Sequence, residues 1–121
     1  DSTFMGVLTK FALELRRKHE QLEIARVTPE NLRLLVELGV KRLFAFSDAE
    51  LAGGEWLSIY EAGKHGDELL EQGKTSLLAH QKLIEADAAN EERFGAVVEN
   101  LAEDVKNLEA ETENERKDNE D

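Results

Sequence analysis

No cysteine occurs among the 121 residues, which excludes disulfides, thiolate metal sites and a thiolate nucleophile within the chain. No apolar run approaches the roughly 20 residues that span a bilayer, and no stretch reads as a charged-then-apolar leader. We therefore expect a soluble chain, and the missing thiols fit a reducing cytoplasm. Positive charge is also scarce, with 15 Lys and Arg against 27 Asp and Glu and a net charge of −12. The imbalance is confined to one half. Residues 1–48 hold eight basic and seven acidic side chains, whereas residues 49–121 hold seven and twenty. An acidic half of this kind repels nucleic acid and anionic membrane, so neither is expected as a partner. It serves solubility or meets a basic protein surface.

Catalytic signals are missing as well. No glycine-rich loop has Walker or dinucleotide spacing. His19, His65 and His80 stand apart in sequence, and composition gives no ground for joining Ser2 to a distant histidine in a triad, which is defined by geometry. Metal binding by His80 with Glu85 or Asp87 lacks the i, i+4 spacing that puts two ligands on one helix face. We expect no catalytic residue, no metal and no cofactor.

What is present is a chain of domain size with 40% hydrophobic residues, enough for one folded unit. It opens on Asp1-Ser2-Thr3 immediately before an apolar-periodic run. A hydroxyl or carboxylate there can cap free backbone N–H groups, and the same position suits a phosphate because donors and helix dipole favour negative charge. Phe4, Val7, Leu8, Phe11 and Leu15 recur at helical spacing, and Arg16, Arg17 and Lys18 close the helix. The period then changes, and Leu22-Glu23-Ile24 reads as a short strand. Thr28-Pro29-Glu30 is a helix start with Thr28 as N-cap; Leu32, Leu35, Val36 and Leu38 line that helix. Gly39 supplies a left-handed end, with Val40 packing back as in a Schellman motif. Arg42 to Phe46 reads as a second strand. Helix, strand, helix, strand in 46 residues indicates an α/β unit with parallel strands.

Ser47-Asp48-Ala49-Glu50 matches a capping box, but Gly53-Gly54 cuts any helix there short. Residues 49–67 read as a linker in which a helical turn pins Trp56. From Glu68 to about Ala86 the pattern is helical, with Leu70, Leu77, Gln81 and Ile84 on one stripe and Leu69, Leu78 and Leu83 beside it. Gly73 either weakens this helix or admits a close neighbour. After Asp87 a last helix carries Phe94, Val97, Val98, Leu101, Val105 and Leu108 on a seam. That seam suits an antiparallel hairpin with the preceding helix or a homo-oligomer through Phe94, Val98, Leu101, Val105 and Leu108. Residues 109–121, with seven acidic and two basic side chains, read as frayed helix or a disordered acidic tail.

Four segments in order resemble the second half of a STAS domain, the fold of bacterial anti-sigma-factor antagonists. Asp1-Ser2-Thr3-Phe4-Met5-Gly6 resembles the family's Asp-Ser-Ser/Thr-Gly-Leu/Met-Gly turn, with Phe4 where a small glycine is usual. Leu22-Glu23-Ile24-Ala25 resembles a family strand. Thr28-Pro29-Glu30-Asn31-Leu32-Arg33-Leu34-Leu35 and Gly39-Val40-Lys41-Arg42-Leu43-Phe44 resemble the helix and the turn-plus-strand that follow it. The resemblance implies a partial STAS-like α/β sheet over residues 1–48, whose earlier strands have no counterpart before Asp1, so the sequence reads as a fragment. It also implies a protein-binding role in which Ser2 is phosphorylated, with Thr3 as alternative acceptor and Asp1, Ser2, Thr3 and Phe4 forming the docking surface. The implied partner is an anti-sigma factor or related serine/threonine kinase, held by the unmodified form and released by the phosphorylated one. Residues 68–108 resemble a helical extension seen after some bacterial STAS domains, carried here by Leu77 to Asn90 with Phe94, Val97 and Val98. The rival expectation is a structural or oligomerisation module of a larger signalling complex, without a phosphoswitch.

Overall fold

The computed structural model describes residues 1–48 and 68–119. The linker expected over 49–67, with Trp56, lies outside the described residues, and with it Ala49 and Glu50 of the expected capping box.

The order is α1 (Ser2–Arg17), β1 (Leu22–Ala25), α2 (Pro29–Glu37), a 3-10 turn (Lys41–Leu43), β2 (Phe44–Ser47), α3 (Glu68–Ala86) and α4 (Asn90–Asn119). The fold is mixed α/β and mostly helical, with one two-stranded parallel sheet among the described residues. Leu22 pairs with Phe44, Glu23 with Ala45, Ile24 with Phe46 and Ala25 with Ser47. Parallel strands need a crossover, and α2 provides it.

Local signals place the ends of these elements. The Thr28 hydroxyl accepts from the Asn31 amide at 3.2 Å, with Pro29 at the first helical position. At the other end Gly39 adopts φ +71°, its amide donating to Val36 and that of Val40 to Leu35, both at 3.0 Å. These are the two bonds of a Schellman motif, and Val40 is fully buried beneath it. Helix α1 ends the same way without a glycine. His19 takes φ 60°, and the Glu20 amide reaches the Leu15 carbonyl at 2.9 Å. The second strand begins two residues later than its apolar pattern suggests, because Lys41–Leu43 coil into a 3-10 turn that sends Leu43 into the core.

The buried face of α1 differs from the expected stripe. Phe4 and Phe11 are 47% and 40% exposed, and the inward residues are Met5, Gly6, Thr9 and Ala12. The reason is α3, which crosses so closely at Gly6 that only small side chains fit between the helices. In α3 the buried positions are Leu70, Ala79, His80, Leu83 and Ala86, whereas Leu69 and Leu78 are exposed. Leu83 and Ala86 join Met5, Ala12, Leu35, Leu38, Val40, Leu43 and Phe44 in one core cluster. A two-stranded sheet needs such cover to be stable, and α1 and α3 supply it.

The seam on α4 packs against α3. Val105 is buried beside Gly73, Phe94 lies against His80, and Lys74 reaches Glu109 at 3.6 Å, so the two helices run antiparallel as a hairpin. Helix α4 continues to Asn119 through the acidic stretch that composition left as frayed helix or disorder. The hairpin is tied to the sheet unit by polar contacts. Asn90, 1% exposed, donates its amide to the carbonyls of Leu38 and Leu83, each at 2.8 Å, and the Arg42 guanidinium donates to the Ala86 carbonyl at the end of α3.

Candidate functional site

The head of α1 is built by its own first residues. Asp1 is the N-cap, its carboxylate accepting from the Phe4 amide at 2.8 Å, so the acidic residue rather than a hydroxyl performs the capping. That leaves both hydroxyls for other partners, and both point to α3. Ser2 Oγ lies 2.9 Å from His80 Nε2, and Thr3 Oγ1 lies 3.3 Å from Ser76 Oγ.

His80 is 4% exposed and held from both sides. Its Nδ1 is 2.7 Å from the Ser76 carbonyl, one helical turn earlier. A carbonyl can only accept, so Nδ1 carries the hydrogen. Nε2 is the ring atom that faces the Ser2 hydroxyl. Phe94 closes the back of the ring edge-on, with centroids 5.1 Å apart and planes at 69°. Among the described residues no buried side-chain polar atom lacks a partner.

The structure therefore joins Ser2 to His80 across 78 residues of sequence, a pairing that sequence alone gave no reason to make. The arrangement sets a hydroxyl beside an imidazole, as in the first two members of a triad, but lacks the third. A backbone carbonyl, not a carboxylate, orients the imidazole, and the ring is closed in by Phe94. Of the four residues expected to form a docking surface, Asp1 and Phe4 are exposed, while Ser2 and Thr3 are half-buried and turned toward α3. Ser76 and His80 are the residues that sequence reading did not connect with Ser2. Their i, i+4 spacing marks a shared face of α3, yet nothing in it indicates what that face meets.

Elsewhere among the described residues an open hollow is lined by Val36, Gly39, Lys41, Arg42, Phe44 and Phe46. Among the described residues no group of three or more His, Asp or Glu is placed to hold a metal ion, and no helix is long and apolar enough to cross a membrane.

Comparison of the chain with protein-family models, with curated proteins and with solved structures finds no significant match in any of the three.

Proposed function

We propose that the chain is a phosphorylation-switched protein-interaction domain resembling the second half of a STAS domain, acting in transcriptional or stress signalling. The observation that carries this reading is the head of α1, where Asp1, Ser2 and Thr3 stand in order at the start of a 16-residue helix beside the exposed ring of Phe4. The parallel unit of β1, α2 and β2, with its Thr28 cap and Gly39 ending, supports it, because these elements fall on the segments that carry the resemblance. In this reading Ser2 is the phosphoacceptor, Thr3 the alternative, and Asp1 and Phe4 flank the contact with an anti-sigma factor or related serine/threonine kinase in the cytoplasm. No catalytic group or cofactor is required. A phosphate adds about −1.5 to −2 charge and three acceptor oxygens at neutral pH, enough to dismantle a docking surface built around a neutral hydroxyl.

A specific observation favours a second reading. Both hydroxyls are engaged by α3, which is what a structural staple between sheet unit and hairpin requires. In that case the chain is a structural module of a larger complex, or assembles with copies of itself through the hairpin, and Ser2 is never modified. A pull-down with Ser2→Ala and Ser2→Asp as bait separates the two. The switch predicts that Ser2→Ala retains the partner and Ser2→Asp loses it. Equal capture by both variants, together with no phosphopeptide containing Ser2 or Thr3 from cells under stress, would leave the structural module.

A further inference from the structure

We propose that the C-terminal hairpin is a built-in mask over the acceptor, so that docking of α3 on α1 and phosphorylation of Ser2 exclude one another. This rests on Ser2 being the acceptor, as proposed above, but the exclusion itself follows from the geometry between α1 and α3.

Three contacts carry it. The Ser2 hydroxyl lies 2.9 Å from Nε2 of His80, a ring that is 4% exposed, so on its α3 side the group that a transferring enzyme must reach is already engaged. Thr3, the alternative acceptor, is held against Ser76 on the next inward position of the same helix. One turn further, Gly6 meets the backbone of Ala79 with no space for a side chain. A phosphoryl group on Ser2 replaces the hydroxyl hydrogen with a phosphorus bearing three oxygens. On its α3 side that group meets the imidazole, which is itself fixed by the Ser76 carbonyl at 2.7 Å and backed by Phe94. Phosphorylation removes the hydroxyl hydrogen and sets a charged group at the contact between α1 and α3, where taking charge out of water is costly.

The consequence runs both ways. While α3 is docked, both half-buried hydroxyls are held against its side chains; once Ser2 is modified, that contact is lost and the return of α3 is opposed.

The test uses the full chain with phosphoserine incorporated at position 2, alongside the unmodified chain and Ser2→Ala, and reads hydrogen–deuterium exchange peptide by peptide. The expected result is at least tenfold faster exchange over 68–86 and 2–17 in the phosphoserine chain, with 22–47 protected as before. Ser2→Ala should keep the unmodified pattern, since it removes one hydrogen bond and adds no bulk. A nonspecific phosphatase should strip the phosphate readily and restore protection. Unchanged exchange over 68–86 in the phosphoserine chain would overturn the exclusion, as would equal loosening in Ser2→Ala. Loss of protection over 22–47 as well would also overturn it, because the proposal is release of the hairpin and not unfolding. Phosphopeptide mapping from cells fails separately: absence of modified Ser2 there would remove the switch and leave the measured exclusion standing.

Discussion

Replacing Gly6 by alanine puts two well-known effects of opposite sign in competition, and the geometry decides between them. Alanine is favoured over glycine inside a helix by about 1 kcal/mol, so on an isolated α1 the change would stabilise. In the folded chain a Cβ at position 6 would fall on the Ala79 carbonyl oxygen, 2.5 Å from its carbon and 2.6 Å from the Ala79 Cβ. Ordinary contact begins at 3.4 Å, and the obstructing atoms are mostly backbone, so no side-chain rotation relieves the clash. The helices must separate by roughly 1 Å. Overpacking of this kind costs about 1–3 kcal/mol. The same displacement lengthens the Ser2–His80 bond from 2.9 Å past hydrogen-bond range, which removes about 1 kcal/mol more. We expect a net loss of about 2 kcal/mol, which at a slope of about 2 kcal/mol per molar lowers a urea midpoint by about 1 M. Gly95→Ala on α4 is the internal control. Its Cβ would meet only the end of the exposed Glu91 side chain, at 3.0 Å, so the propensity gain of about 1 kcal/mol should appear largely undiminished. A Gly6→Ala chain as stable as the parent, with Gly95→Ala raised, would refute the close crossing of α1 and α3.

Asn90→Ala leaves the buried Leu38 carbonyl without its donor, whereas the Leu83 carbonyl keeps the Asp87 amide; chemical unfolding should show a loss of about 1–3 kcal/mol. His19→Gly relieves a non-glycine residue at φ 60° in the Schellman ending of α1 and should raise the thermal midpoint, by about 1 kcal/mol of stability at most. The Glu85 carboxyl is held below the usual carboxylate range by its hydrogen bond from Lys82 at 2.9 Å, with the charges of Lys82 and Arg17 adding to it. A carboxyl with a lowered folded-state pKa contributes stability above its unfolded value and loses it as pH falls through the folded one. Glu85→Gln should therefore flatten the acid side of the stability–pH curve. Because the carboxylate is 48% exposed, the change should be only a few tenths of a kcal/mol in urea titrations at neutral and acid pH.

The parts of the fold legible in the sequence are those whose cause is local. Thr28-Pro29 and Gly39-Val40 announce helix ends because a cap and a left-handed residue depend on a few consecutive backbone groups, and both stand where their chemistry requires. The seam from Phe94 to Leu108 was readable as a packing surface, but not as to its partner, since a second copy and a neighbouring helix offer the same apolar contact. The face of α1 was misjudged for a related reason. Hydropathy ranks Phe4 and Phe11 above Gly6, Thr9 and Ala12, whereas a close helix crossing selects for small size. At the candidate site, Asp1, Ser2 and Thr3 were identifiable because they lie together at one helix start. Ser76 and His80 were not, because the fact that matters about them is a contact made across the fold.

That contact changes what the head of α1 can tolerate. Asp1 already places a carboxylate on the Phe4 amide, so part of the helix dipole's capacity for negative charge is taken before any modification. A neutral hydroxyl is indifferent to that charge and adds a hydrogen bond worth about 1 kcal/mol. A phosphate at the same atom meets the Asp1 carboxylate beside it, at short range where salt screens least, and the buried His80 ring in front of it. Both push the same way, outward to solvent. An interface that a serine stabilises only modestly is thereby one that a phosphoserine opposes strongly. That asymmetry is what a switch needs from its resting contact: weak enough to break, and impossible to remake until the charge is gone.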